Sequence, residues 1–120
     1  MFNKISIIGC GLIGSSIIRG VEEKKLASKI SAYDKSSKVN EYLKKNFSVE
    51  ICTNISDVVK DSDLVIIASP LSSYKEILLS IQSNLKENTI LTDTGSAKKE
   101  VNKIINNLSL KNVNWIASHP

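Results

Sequence analysis

The chain has 120 residues, of which 42% are hydrophobic and 23% are charged. This composition is typical of one globular domain with a single core. The formal net charge is +4, but basic and acidic residues lie side by side, as in EEKKL and NEYLKKN. Such mixing indicates a solvated surface rather than a basic patch. We therefore expect no nucleic-acid partner and no membrane partner.

The cysteine content and the first segment bear on the compartment. Cys10 and Cys52 are too few and too far apart for a disulfide framework or a metal-binding motif, so we expect reduced thiols and no metal. The opening MFNKISIIGCGLIGSSII has a lysine before an apolar run, as signal peptides do. Its regular glycines and serines and the lack of a following cleavage pattern argue against export, and it is too short and glycine-rich to span a bilayer. We expect a cytoplasmic protein.

Short apolar runs alternate with amphipathic segments along the chain. The runs predict strands at 4–8, 29–34, 49–51, 63–69, 89–93 and 113–118. The amphipathic segments predict helices at 12–25, 36–47, 56–63, 72–85 and 96–108, with serine start signals at Ser36 and Ser56. The run DLVIIAS is apolar throughout, which is typical of a strand covered on both faces of a parallel sheet.

This alternation predicts the fold class. Strands that alternate with helices through right-handed crossovers give an α/β fold, a doubly wound parallel sheet. Six strands in this order match the 3-2-1-4-5-6 arrangement of the Rossmann, NAD-binding fold. We expect a single domain over residues 1–120.

The hexapeptide GCGLIG predicts a cofactor-binding loop, formed by Gly9, Gly11, Leu12, Ile13 and Gly14. It leaves a predicted strand and opens a predicted helix, which is the context that this glycine spacing requires. The first glycine permits the tight turn and the second lets a pyrophosphate approach the backbone. The third lets the helix pack closely on the strand, and the helix N-terminus supplies N–H groups to the phosphates.

Asp34 lies twenty residues after Gly14, at the end of the second predicted strand. A carboxylate at this place accepts hydrogen bonds from the adenosine ribose hydroxyls and repels a 2′-phosphate, which favours NAD over NADP. Two neighbouring lysines, Lys35 and Lys38, could instead face a phosphate. An ordinary turn aspartate is the alternative interpretation of Asp34.

Further polar residues follow the fourth, fifth and sixth predicted strands, at the sheet edge where such folds bind ligands. Ser69 and Pro70 are expected beside the nicotinamide ribose, although a proline also suits a strand end. Ser96 is either a site residue or the cap of the next helix, with Glu100 near the capping-box position. His119 is the sole histidine of the chain and is expected where the nicotinamide lies.

The segments IIGCGLIGSSI, DLVIIASP, TDTGSAKKEV and ASHP together resemble the prephenate and arogenate dehydrogenases of tyrosine biosynthesis. The resemblance implies NAD-dependent oxidative decarboxylation of prephenate (or arogenate) to 4-hydroxyphenylpyruvate (or tyrosine). It also implies the catalytic roles. His119 would take the proton of the substrate 4-hydroxyl as hydride leaves ring carbon 4, and Ser96 would help to orient the histidine, the hydroxyl or the nicotinamide.

Members of this family continue past the HP pair into a helical domain that completes the substrate pocket and forms a dimer. We therefore expect residues 1–120 to be the cofactor domain, which binds NAD(H) and turns over prephenate poorly or not at all by itself. Two alternatives stay open. One is another oxidoreductase of this build, such as a 3-hydroxyacid dehydrogenase or an imine-reducing enzyme, and the other is a stand-alone dinucleotide-sensing module.

Overall fold

The computed structural model describes residues 2–94, 103–105 and 113–116. Within these residues, six parallel strands form one sheet in the order β3-β2-β1-β4-β5-β6. The strands are β1 Phe2–Ile8, β2 Ala27–Tyr33, β3 Glu50–Ile51, β4 Leu64–Ile67, β5 Thr89–Asp93 and β6 Val113–Trp115. The predicted doubly wound arrangement is confirmed.

Helices connect the strands. They are α1 Leu12–Glu23, α2 Ser37–Asn46, α3 Ile55–Val58 and α4 Tyr74–Ile81, and short 3₁₀ turns at Leu71–Ser73 and Gln82–Asn84 flank α4. Residues 103–105 are helical, inside the helix predicted at 96–108, whose other residues lie outside the described ranges. No helix among the described residues is long and apolar enough to cross a membrane.

The helix starts were predicted correctly for α2 and wrongly for α3. The Ser36 side chain accepts a hydrogen bond from the Val39 N–H, as expected of a helix cap. The cap of α3 is Asn54, not Ser56, because the Asn54 amide oxygen accepts the Ser56 N–H at 3.0 Å and its hydroxyl at 2.8 Å. The helix also ends at Val58, and the chain reverses near Asp61, whose φ is 60°.

Two clusters of buried side chains cover the two faces of the sheet. One packs β4 and β5 against α4 and includes Ile67, Leu78 and Leu91. The other packs β1 and β2 against α1 and α2 and includes Ile7 and Ile18. Side chains of β4 contribute to both clusters, since successive strand residues point to opposite faces. The strand is therefore covered on both sides, as its apolar sequence predicted.

The register of the sheet aligns the carboxyl ends of four strands. Ile8 pairs with Tyr33 on one side and with Ile67 on the other, and Ile67 pairs with Asp93. The residues that follow these ends therefore leave the sheet at one common edge. This edge carries the candidate site.

Candidate nucleotide-binding site

Gly9 begins the loop after β1 and is required there on two grounds. Its φ is +84°, a left-handed backbone conformation that glycine adopts without a steric penalty. A Cβ on Gly9 would also lie 2.2 Å from Ser69 Oγ and 2.9 Å from Ser69 N. The Gly9 N–H donates to the Tyr33 carbonyl at 2.9 Å, which ties the turn to β2. The first glycine of the motif thus lets three strand ends meet closely.

Gly14 and Gly11 serve different purposes. A Cβ on Gly14 would lie 2.3 Å from the Gly9 carbonyl oxygen, so a side chain there would push α1 away from the loop. Gly11 is exposed, and a Cβ on it would meet no atom of the described residues within 4 Å. Packing of the described residues therefore requires a glycine at position 14, whereas at position 11 the missing side chain leaves open space in front of α1.

The N-terminus of α1 is suited to an anion. Gly11 is its N-cap, and in the described structure no side chain caps the helix and its first turn holds no acidic residue. The N–H groups of a helix's first turn have no partner within the helix, and they carry the positive end of the helix dipole. A phosphate at this position would accept hydrogen bonds from these N–H groups, and no carboxylate in the first turn of the helix would compete with it.

Asp34 follows β2 and connects two turns of the backbone. Its Oδ2 accepts the Cys10 N–H at 2.8 Å, and its Oδ1 accepts the Ser36 N–H at 2.8 Å. Its own carbonyl oxygen accepts the Asn40 side-chain amide at 2.8 Å. The bond to Ser36 is the local contact of a turn aspartate. Each carboxylate oxygen retains a further lone pair for a ligand.

The glycine turn, Asp34 and the residues after β4 line one cavity. Its volume is about 380 Å³. Five of the predicted cofactor-binding residues contribute to its wall: Gly9, Gly11, Asp34, Ser69 and Pro70. Lys35, which could face a phosphate, also lines it. The cavity therefore brings together the loop and strand ends that the sequence placed at this edge.

The far wall of the cavity was not predicted. It consists of Ile55 from α3, Ser73 from the 3₁₀ turn before α4, and Glu76, Ile77 and Ser80 from α4 itself. The spacing of the last four residues places them on one side of a helix. That spacing was the available signal, but the amphipathic pattern of residues 72–85 predicted only a helix.

Several predicted site residues do not line the cavity. Leu12 and Ile13 are 89% and 57% exposed on the first turn of α1, and Gly14 is buried beneath the loop. The two residues predicted to be catalytic, Ser96 and His119, lie outside the described residues. The catalytic prediction therefore stays a prediction.

Cys10 is fully buried within the glycine loop. Burial, reinforced by the nearby Asp34 carboxylate, raises the pKa of its thiol to about 12. Its Sγ donates weakly to the carbonyls of Ile7 and Tyr33, at 3.7 and 3.6 Å. The thiol is therefore neutral near pH 7 and serves as an anchor of the loop rather than as a nucleophile.

The doubly wound sheet, with a glycine turn and a cavity at its carboxyl edge, defines a nucleotide-binding domain of the Rossmann type. The family model of the prephenate dehydrogenase nucleotide-binding domain matches residues 18–120. The chain therefore belongs to this family, as the resemblance of its motifs indicated.

Two curated relatives and one solved structure are similar over nearly the whole chain. The cyclohexadienyl dehydrogenase of Zymomonas mobilis is 34% identical over 121 residues, which cover 100% of this chain and 41% of the relative. The prephenate dehydrogenase of Lactococcus lactis is 34% identical over 119 residues, covering 98% of this chain and 33% of the relative.

The solved structure is that of prephenate dehydrogenase from A. aeolicus in complex with hydroxyphenyl propionate and NAD⁺. It has a TM-score of 0.82 and 26% identity, and the match covers 100% of this chain and 42% of that protein. The chain thus spans well under half the length of each of these proteins.

Proposed function

We propose that the cavity binds NAD(H). The diphosphate would lie at Gly9, Gly11 and the N-terminus of α1, the adenosine ribose at Asp34, and the adenine between Ile55 and Ile77. The observation that carries this proposal is that one cavity brings together the glycine turn at the N-terminus of α1, the Asp34 residue, and the apolar residues Ile55 and Ile77. A dinucleotide presents a phosphate, a ribose and a base that suit these three kinds of group.

The proposed preference for NAD over NADP depends on charge. The Asp34 carboxylate lines the cavity, so a 2′-phosphate on the adenosine ribose would bring two anionic groups together. The Lys35 side chain is exposed beside it and offsets only part of this repulsion, because water screens an exposed charge. The relative from A. aeolicus was solved with NAD⁺, which supports the same choice.

We propose further that the chain contributes to the oxidative decarboxylation of prephenate or arogenate. The cofactor would accept the hydride that leaves ring carbon 4. His119 would accept the proton of the 4-hydroxyl, which becomes a carbonyl, and return it to the oxygen as carbon dioxide leaves carbon 1 and the ring becomes aromatic. A neutral imidazole has a reference pKa of about 6.5 and suits this exchange near neutral pH.

Support for these catalytic roles comes from the family and from the order of the sheet. Ser96 follows β5 by three residues and His119 follows β6 by four, and β5 and β6 are neighbours. Ser96 would orient the histidine or the hydroxyl. The relatives contain residues beyond the part that this chain matches, and we propose that those residues complete the substrate pocket and the dimer.

Measurements of turnover test whether catalysis requires residues beyond those of this chain. We would compare the isolated chain with a fusion of this chain to the remaining part of the Zymomonas mobilis relative, measuring NADH formed from prephenate and from arogenate. We expect that only the fusion turns over substrate and that it prefers NAD⁺ to NADP⁺. His119→Asn should lower the turnover of the fusion by about 10²-fold or more at unchanged NADH affinity. Robust turnover by the isolated chain, or an active His119→Asn fusion, would contradict the proposal.

A further inference from the structure

We propose that Asp34 is a positioning residue for the glycine loop and not only a ribose ligand. Through the Cys10 N–H, its carboxylate holds the loop in the shape that accepts a diphosphate. This inference rests on the proposed binding of a dinucleotide in the cavity. It assigns to one carboxylate a role at the phosphate end of the ligand as well as at the ribose end.

The geometry places Asp34 between two turns that are far apart in sequence. One carboxylate oxygen accepts the N–H of Cys10 and the other accepts the N–H of Ser36, each at 2.8 Å. Hydrogen bonds to a charged acceptor are roughly twice as strong as neutral ones. The carboxylate therefore links the loop after β1 to the turn after β2.

The loop depends on such a link because its glycines provide no side chains. The Cys10 side chain points into the core, where its thiol contacts the carbonyls of Ile7 and Tyr33. The Gly9 N–H also binds the Tyr33 carbonyl. The N–H groups of residues 9 and 10 are thus held by Tyr33 and Asp34, while the Cys10 carbonyl accepts a hydrogen bond from the Ser15 hydroxyl at 2.7 Å. The next residue, Gly11, begins the open space in front of α1.

Replacing the carboxylate by an amide separates the two roles of Asp34. The asparagine of Asp34→Asn has one oxygen and one NH₂ group, so either the Cys10 N–H or the Ser36 N–H would face another donor. The same change removes a negative charge beside the ligand. If Asp34 acted only through its charge and the ribose, a diphosphate ligand without ribose hydroxyls would bind equally well or more tightly. If the loop contact is lost, the same ligand should instead bind more weakly to Asp34→Asn.

The test uses ADP and 2′,3′-dideoxy-ADP, which share the diphosphate and the base but differ in the ribose hydroxyls. Their affinities would be measured by NMR titration of the wild-type chain and of Asp34→Asn. We expect dideoxy-ADP to bind about tenfold more weakly or worse to Asp34→Asn, because a charge-assisted contact is lost. Unchanged or tighter binding of dideoxy-ADP would overturn the inference.

Ser36→Ala is the matched control. It removes the side-chain cap of α2 but keeps the backbone N–H that binds Asp34, so both ligands should bind within about twofold of the wild type. A similar loss in both variants would attribute the effect to α2 and overturn the inference. Amide exchange supplies a readout without ligand. The Cys10 N–H should exchange faster in Asp34→Asn, while the buried Ile18 amide of α1 should not change.

Failure of the proposed dinucleotide binding would give a different result from failure of the inference about Asp34. If the wild-type chain bound neither ADP nor NADH, the proposed dinucleotide site would be wrong whatever the variants did. Faster exchange of the Cys10 amide in Asp34→Asn would then still report the link between the two turns. A Cys10 amide that exchanges equally in both proteins would overturn the link itself.

Discussion

The position of a Cβ on Gly14 lies 2.3 Å from the carbonyl oxygen of Gly9, so the first and third glycines of the motif are in direct backbone contact. This contact sets how closely α1 approaches the end of β1. It makes Gly14 a structural residue, buried beneath the loop, whereas a Cβ on Gly11 in the same motif would meet none of the described atoms within 4 Å. The three glycines therefore respond differently to substitution.

Gly14→Ala should destabilise the domain. The added methyl would have to displace backbone atoms, and overpacking of this kind costs typically about 1–3 kcal/mol. Urea denaturation would measure the loss in the free energy of unfolding. A variant as stable as the wild type would show that α1 can move away from the loop without cost.

Gly11→Ala should impair binding much more than stability. Alanine is a poorer helix cap than glycine, so we expect a loss in the free energy of unfolding of about 1 kcal/mol or less. The methyl would occupy the space where we place the diphosphate, and a tenfold or greater loss of NADH affinity corresponds to about 1.4 kcal/mol or more. Fluorescence titration with NADH checks this, and unchanged affinity would contradict the placement of the diphosphate.

Gly20→Ala is the matched control within the same helix. Gly20 lies in the interior of α1, and within the part of the chain that the structure describes a Cβ there would meet no atom within 4 Å. Alanine favours an internal helical position over glycine by roughly 0.5–1 kcal/mol, so the free energy of unfolding should rise by that amount. NADH affinity should not change. A destabilised Gly20→Ala variant would mean that α1 tolerates no added methyl. The difference in the free energy of unfolding between Gly11→Ala and Gly14→Ala would then not report the contacts of the glycine loop.

Cys10 should make the domain less stable in alkali. Its folded pKa is raised to about 12 from the ordinary value of 9.0, by burial first and then by the Asp34 carboxylate. Between these values the unfolded chain loses the thiol proton and the folded chain keeps it. The contribution of Cys10 is therefore fully present below pH 9 and decreases by about 1.4 kcal/mol per pH unit as the pH rises toward 12.

The comparison that isolates this effect is wild type against Cys10→Ser, because the two proteins differ in this one side chain. The difference in the free energy of unfolding should be constant up to about pH 9 and then change steadily. Urea denaturation at several values between pH 8 and 10.5 measures it. Parallel curves for the two proteins would show that the thiol titrates at its ordinary pKa in the fold.

Most of the fold could be predicted because its signals are local. Apolar runs and helical spacing are properties of neighbouring residues, and the strand order followed from their alternation. Helix ends were less accurate. The helix predicted at 72–85 is α-helical over Tyr74–Ile81 and continues as 3₁₀ turns on both sides. The cap of α3 is Asn54 and not the predicted Ser56, and sequence did not separate the two because both side chains offer a suitable oxygen.

The parts of the site that escaped prediction depend on contacts distant in sequence. The approach of Ser69 to Gly9 joins residues sixty positions apart, and the bond from Cys10 to Asp34 joins residues twenty-four apart. Asp34 was identified by its spacing from the loop, but its contact with Cys10 needs the relative placement of β1 and β2. The wall formed by Ile55 and α4 likewise exists only once the sheet brings α3 and α4 to the cavity.

Calorimetric titration of the chain with NADH, and then with NADPH under the same conditions, tests the central claim most directly. We predict one binding site per chain for NADH and an affinity for NADPH at least about tenfold lower, because the Asp34 carboxylate would meet the 2′-phosphate. The assignment of the cavity to a dinucleotide would be contradicted if neither NADH nor NADPH produced heat on titration and neither competed with the other for the chain.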